Sequence, residues 1–308
     1  MNNLLTVIIP VLNEGEELSN TLSEIRRTAL NKVDIIVIDD ASTDNYDYRA
    51  VANHYNAQYI RHYTRWGSGP SKQHGIDKTC TPYFIVLDAH MRFYDNIWWK
   101  ETSACIEENP NAIYCMKCKP WSAETKEEMN IAIHGGAYID ILTDKPLDFF
   151  KLHWIKYKES TQRISPIPCV LGACYASSKT YWQQLRGFEG LCGYGSEEVF
   201  ISLKSWMIGK GCYLMNRLTI GHLFRKDFPY VVGHGENILN KMLVADLLLP
   251  EAYKICVFNN VKRFSYTTYR KYMAHPAETT LKEYFSKTVS PESFKRFHSI
   301  NLVAQGRI

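Results

Sequence analysis

Three short runs, residues 4–9 (LLTVII), 34–38 (DIIVI) and 83–87 (YFIVL), are apolar almost without alternation, and polar residues follow each one. A strand that does not alternate is buried on both faces, which calls for a parallel sheet covered by helices on either side. Between the first two runs, Leu18, Leu22, Ile25 and Ala29 recur at spacings of four, three and four. That spacing predicts a helix over 16–30 with one apolar stripe. A shorter strand over 58–61 and a helix over 70–78 complete the alternation. The fold class that follows is α/β: a mostly parallel, doubly wound Rossmann-like sheet flanked by helices.

Ligands of such sheets bind outside the carboxyl ends of the strands. Asn13, Glu14, Asp39, Asp40, Asp88 and His90 all fall at those ends. Residues 39–44 also suit caps for the next helix, a reading that fits Asp88-Ala89-His90 poorly. Two residues apart after a strand, Asp88 and His90 leave the same edge toward the crevice. Carboxylate with imidazole suits Mn²⁺ or a similar first-row ion better than Mg²⁺. An ion there would bridge the phosphates of a nucleoside diphosphate and neutralise the departing charge. Arg65 and Lys72 flank a Gly-containing loop (RWGSGPSK) able to approach phosphates or a sugar, though each also suits a surface cation.

The second half is less regular. Strands are expected over 113–116 and 170–176, a helix over 197–208, and short strands over 212–215 and 218–220 before Gly221-His222. From Glu236 the pattern turns helical, with Ile238, Leu239, Met242, Leu243 and Leu247 as a stripe. This divides the chain into a domain over 1–235, with halves near 1–100 and 101–235, and a helical basic extension over 236–308.

A chain of 308 residues, 45% hydrophobic and 22% charged, is globular with a sizeable core. Its net charge of +4 is too small to argue for nucleic acid, but ten Lys or Arg face only four Glu over 251–308, leaving +6 there and −2 elsewhere. Arg263, Phe264, Tyr266, Tyr269, Arg270, Lys271 and Tyr272 suit phosphates with stacking; a solvated helical surface explains them too. The nine cysteines show no disulfide spacing. Cys115 and Cys118 alone would give a zinc site half its ligands, and Cys80, Cys169, Cys174 and Cys212 read as small core residues. With no leader-like segment and no apolar run of spanning length, the expected location is the cytoplasm.

TVIIPVLNEGEEL, IIVIDDASTD and YFIVLDAH are similar to the successive strand-end motifs of family 2-type glycosyltransferases with the GT-A fold. That family usually has Asp-X-Asp in the third motif. The Asp-X-His here resembles the polypeptide N-acetylgalactosaminyltransferase branch, and so does the order of features from VLGACYASSK through GYGSEEVF to GHLFR. The resemblance spans roughly residues 4–225. It implies a UDP-sugar donor, Mn²⁺ or another divalent cation, and His222 as third metal ligand beside Asp88 and His90. It further implies Asp39 or Asp40 on the uracil ring, Pro10 and Leu12 as wall of the base pocket, and Ala89 near the ribose. Glu14, Arg65, Lys72 and Arg225 complete the donor side, Glu197 and Glu198 are the catalytic candidates, and Trp66 and Tyr194 are candidate stacking platforms.

Relatives in that branch carry a membrane anchor, disulfides and a lectin domain, none of which this sequence suggests. The expected activity is metal-dependent transfer of a hexosyl or N-acetylhexosaminyl group from a UDP-sugar to a hydroxyl acceptor, with retention. The acceptor stays open between a glycan or lipid-linked precursor, a hydroxylated base in DNA as in phage enzymes, and a protein hydroxyl. A non-catalytic nucleotide-sugar-binding protein is the alternative from another class.

Overall fold

The structure is a computed structural model that describes residues 3–227 and 229–307. The parallel part is built from β1 (Leu5–Val11), α1 (Glu16–Ala29), β2 (Asp34–Asp39), α2 (Tyr48–His54), β3 (Gln58–Arg61), α3 (Ser68–Lys78) and β4 (Tyr83–Leu87). Its strand order is β3-β2-β1-β4, with β1 parallel to both β2 and β4. Alternate residues of β1 serve opposite faces: Val7 and Ile9 join the core beneath Leu18, Leu22 and Ile25, while Ile8 joins Ile38, Ile76 and Phe84 on the other. All of these are buried, which is why the run does not alternate. The chain leaves β1 toward β2 and β3, then returns to place β4 on the other side. The crevice between β1 and β4 is therefore the switch point where such sheets take ligands.

The second half contains β5 (Met91–Phe93), α4 (Trp98–Glu108), β6 (Ile113–Ser122), β7 (His134–Asp140), β8 (Lys151–Lys156), β9 (Ile164–Ile167), β10 (Cys174–Ser178), α5 (Lys179–Gln184), α6 (Glu197–Ile208) and β11 (Cys212–Phe224). It extends the same sheet as β4-β10-β6-β11-β5. β10 lies antiparallel to β4 and β6, and β11 runs parallel to β6 and antiparallel to β5.

Two expected strands differ. The run over 170–176 becomes strand only from Cys174, because residues 170–173 form an irregular segment lining a cavity. There Gly172 admits Glu198: a Cβ on it would stand 2.4 Å from the Glu198 carboxylate. The two short strands expected over 212–220 are one strand, with a register shift between Met215 and Thr219. Asn216 and Arg217 break the apolar pattern, and the irregular stretch between Met215 and Thr219 accommodates them. Cys169, Cys174 and Cys212 are buried, but Cys80 is exposed after α3, contrary to the reading of it as core.

The helices after residue 233 are α7 (His234–Leu248), α8 (Glu251–Phe264), α9 (Tyr266–Ala274), α10 (Thr279–Thr288) and α11 (Pro291–Ala304). No helix among the described residues is long and apolar enough to cross a membrane. Met242, Val257, Val261, Leu281, Phe285 and Phe297 belong to the same core cluster as Leu203, Trp206 and Leu214. Asp246 binds the helices together. Its buried carboxylate accepts from Tyr272 (2.9 Å) and pairs with Lys254 (2.9 Å) and Lys282 (2.6 Å). Burial alone would raise its pKa; the two lysines and the tyrosine hold it below the ordinary value.

Asn301 on α11 is almost fully buried, and its amide both accepts from the Ile139 N–H and donates to the Ile139 carbonyl, each at 2.8 Å. It thus acts as a one-residue strand against β7. Asn301→Ala removes the partner of the Ile139 N–H and leaves its carbonyl only the longer 3.4 Å bond from Gln305 Nε2, and is expected to lower unfolding free energy by about 1–3 kcal/mol in urea titrations. An unchanged midpoint would show that this clasp contributes nothing. Asp246 has a depressed folded pKa, so its contribution is present at neutral pH and disappears as pH falls into the acid range. Asp246→Asn is therefore expected to destabilise at pH 7 but not near pH 2, as read by thermal melts across that range.

Candidate active site

At the carboxyl ends of β1 and β4 lies a cavity of about 580 Å³. Asp88 follows β4 directly, and the antiparallel ladder of β5 and β11 sets His222 opposite Met91. That pairing carries His222 to His90, 132 positions away in sequence: the two Nε2 atoms stand 3.1 Å apart. His222 Nε2 is also 3.1 Å from Asp88 Oδ2. The three side chains form the one group among the described residues with metal-ligand geometry, their ligand atoms all within 4.8 Å of one another.

The donor set fits a first-row divalent cation. Two imidazole nitrogens face each other at hydrogen-bond distance beside a carboxylate, an arrangement that a shared cation satisfies. Burial alone would raise the Asp88 pKa, but the His222 hydrogen bond and the charges of His90, His222 and Lys72 hold it well below the usual range. Burial lowers the His222 pKa, against the pull of Asp88, which favours the neutral ring that ligates a metal. Glu14 lies behind His90, 3.0 Å from its Nδ1, and also pairs with Arg225. A carboxylate there fixes the ring tautomer that presents Nε2 to a metal. The sequence placed Glu14 on the donor; the structure adds this role in support of a ligand.

Lys72 is 4% exposed, on the cavity floor, with Nζ 3.7 Å from Glu198 Oε1. Desolvation would lower its pKa, but Tyr175, Glu198, Glu197 and Asp88 raise it well above the ordinary value. Glu198 is shifted upward by burial, against the pull of Lys72 and with the push of Glu197. Glu197 accepts from the Gly195 N–H at 3.0 Å, while its Oε1 is buried without a partner. The floor therefore offers an ammonium and two carboxylates to a polar group entering the cavity.

Pro10, Leu12, Glu14, Asp40, Arg65, Lys72, Asp88, Ala89, His90, Glu197, Glu198, His222 and Arg225 all line this one cavity. Asp39 does not: it is fully buried, accepts from the Ser42 N–H and Tyr59 hydroxyl, and pairs with Arg61. Its role here is to hold the loop after β2. Asp40 rims the cavity, with oxygens occupied by the Trp66 and Gly67 N–H groups and His62. Trp66 is not a cavity platform either, since its ring stacks on His62 at 3.9 Å; Tyr194 does line the wall. Arg65 donates to the Val231 carbonyl at 2.7 Å and lies over the Tyr230 ring.

Sequence reasoning missed a further part of the lining, formed by Phe150, Leu152 and Trp154 near the β7–β8 hairpin, Phe224 on β11, and Asn237 and Lys241 on α7. Phe224 sits two residues past His222, so proximity to the third ligand was a usable signal. Nothing in the irregular pattern over 134–156 singled out Trp154.

A switch-point cavity with a carboxylate–bis-imidazole cluster and a charged floor sits on a sheet of the GT-A class. The chain belongs to glycosyl transferase family 2, whose family model it matches over residues 6–167, just over half its length. Polypeptide N-acetylgalactosaminyltransferase 3 of Taeniopygia guttata is 24% identical over 273 residues, covering 83% of this chain and 44% of that protein. Polypeptide N-acetylgalactosaminyltransferase 4 of Caenorhabditis elegans is 24% identical over 83% of this chain and 44% of its own. The chain thus spans less than half the length of these relatives. Among solved structures, GalNAc-T7 with UDP, GalNAc and Mn²⁺ superposes with TM-score 0.77 at 19% identity, over 96% of this chain and 56% of that one. Staphylococcus (S. aureus) TarS 1–349 with UDP-GlcNAc gives 0.54 at 13%, over 98% and 87%. At these identities the structures establish the shared GT-A fold.

His222→Ala is expected to abolish Mn²⁺-dependent UDP binding, and Glu14→Gln to weaken Mn²⁺ affinity about 10–100-fold, by calorimetry with and without UDP. Unchanged metal dependence in His222→Ala would sink the three-ligand site.

Proposed function

We propose that the chain transfers a hexosyl or N-acetylhexosaminyl group from a UDP-sugar to a hydroxyl acceptor, assisted by Mn²⁺ or another divalent cation. The observation that carries this reading is the convergence of Asp88, His90 and His222 at the switch point, within one cavity with Lys72, Glu197 and Glu198. A divalent ion held there supplies charge neutralisation for a departing diphosphate. Pro10, Leu12, Asp40 and Ala89 bound the nucleotide end, and Asp40 holds the Arg65–Gly67 backbone in place. Lys72 and the two carboxylates meet the donor sugar and the incoming hydroxyl. Glu198, whose pKa burial raises, is proposed as the proton-exchanging group of the site. Retention at the anomeric carbon rests on the resemblance to the Asp-X-His branch.

For the acceptor we propose a glycan or lipid-linked precursor. Phe150, Leu152, Trp154 and Phe224 line the same cavity, with Phe224 4.6 Å from the His222 ring and Trp154 5.2 Å from Phe224, and aromatic faces suit the apolar faces of sugar rings. We place the reaction in the cytoplasm, supported by nine cysteines that are all free thiols.

The deciding experiment offers a panel of labelled UDP-sugars with Mn²⁺ or EDTA to glycan, lipid-linked, peptide and hydroxymethylated-DNA acceptors. Transfer to a glycan or lipid-linked acceptor, lost in EDTA and retaining by NMR of the product, is the expected result. Turnover with DNA or peptide alone overturns the acceptor assignment, and UDP binding without turnover of any donor leaves a non-catalytic binding protein. Glu198 acts as carboxylate only above its raised pKa, so activity falls on acidification at a pH above the ordinary 4.5. Glu198→Gln is expected to lower kcat by about 100-fold or more and to flatten that acid limb of the pH profile. An unaltered limb assigns it to another group.

A further inference from the structure

The most unbalanced surface of the molecule lies away from the cavity floor, where α8 meets α9. From Ala252 to Ala277 there is no acidic residue. Lys262, Arg263, Arg270 and Lys271 are all exposed. None of the four is ion-paired among the described residues, whereas Lys254, Lys282 and Lys295 elsewhere on these helices each have a carboxylate. Large apolar side chains stand among them: Phe264 is 46% exposed, Tyr266 57% and Met273 50%. The cations and rings form one patch, with Arg263 over the Phe264 ring at 5.0 Å, Lys262 over Tyr269 at 5.8 Å, and Tyr266 stacked on Tyr269 at 6.3 Å.

We propose that this α8–α9 corner docks the protein on an anionic lipid surface. Unpaired lysines and arginines supply attraction to acidic headgroups, each worth about 1 kcal/mol near such a surface. Exposed Phe, Tyr and Met supply side chains that settle at the boundary between headgroups and acyl chains. A nucleic acid fits the same charges less well. The tyrosine rings are stacked on each other and two cations already lie over ring faces, so bases would have to displace them, while Met273 and the exposed Ile255 offer aliphatic surface that bases do not stack on. This inference does not depend on the donor, metal or acceptor assignments above.

The test is co-sedimentation of the full chain with vesicles of neutral phosphatidylcholine, alone or with about one-third phosphatidylglycerol, at low and moderate salt. Binding is expected only with the anionic lipid, weakening as salt rises. Replacing Lys262, Arg263, Arg270 and Lys271 together by alanine is expected to cut the partition at least about ten-fold. The thermal unfolding midpoint should stay unchanged in that variant, confirming that it folds. A Tyr266→Trp reporter should shift its emission to the blue on anionic vesicles and be quenched by brominated acyl chains. Equal binding to neutral and anionic vesicles, or unaltered binding in the four-alanine variant, overturns the proposal. So does capture of an oligonucleotide by the patch when anionic vesicles are not bound.

Discussion

The site depends on a short antiparallel ladder between β5 and β11. β5 is only three residues long, yet it follows immediately on Asp88-Ala89-His90, and its register against β11 puts His222 opposite Met91. The same ladder lets the Leu223 N–H bond the His90 carbonyl at 3.2 Å. Backbone hydrogen bonds, rather than the imidazoles themselves, thus hold His90 and His222 together. Because β11 also runs in parallel register with β6, both histidines are tied to the centre of the sheet. Slipping the register by one residue would turn His222 to the other face and disperse the cluster.

Around this ladder the cavity is assembled from layers of different stiffness. The metal-ligand side sits on strand ends, where burial and pairing leave little freedom. The floor is set by Lys72 on α3 and by Glu197 and Glu198 at the start of α6, elements that reach the cavity from different helices. The rim is made of loops that lean on one another: Asp40 gathers the Trp66 and Gly67 amides, and Arg65 reaches across to the Val231 carbonyl. At the closest point a Cβ on Gly67 would fall 2.1 Å from the Gly193 carbonyl oxygen, so no larger side chain fits between the two loops. The helices after residue 233 serve both core and site, since α7 lends Asn237 and Lys241 to the cavity wall and buries Met242 and Leu243 in the main core.

The charges of the molecule divide accordingly. Inside the cavity, cations and carboxylates lie close enough to shift one another, and burial magnifies each effect. Lys72 is kept charged by its acidic neighbours, and Asp88 is kept ionised by two imidazoles and a lysine. On the α8–α9 corner the cations have no such partners and face solvent. The cavity charges face one another inward, whereas those of the α8–α9 corner face outward without ion-pair partners among the described residues. A net charge of +4 conceals both.

What the sequence by itself determined is the frame. Unbroken apolar runs over 4–9, 34–38 and 83–87 can only be strands buried on both faces, and the spacing of Leu18, Leu22, Ile25 and Ala29 can only form a helical stripe. These local periodicities also place Asp88 and His90 at the ligand edge, because a strand end is a local fact. The tertiary structure decided everything that depends on pairing between distant segments. It made one bulged strand of residues 212–224, turned Asp39 inward to pair with Arg61, stacked the exposed Trp66 on His62, left Cys80 exposed, and built the Phe150–Trp154 wall from a segment without clear periodicity. It also made Glu14 the partner of His90. Hydrophobic period reports which face of an element is buried, whereas hydrogen-bond register and the competition among neighbouring polar groups choose what that face meets.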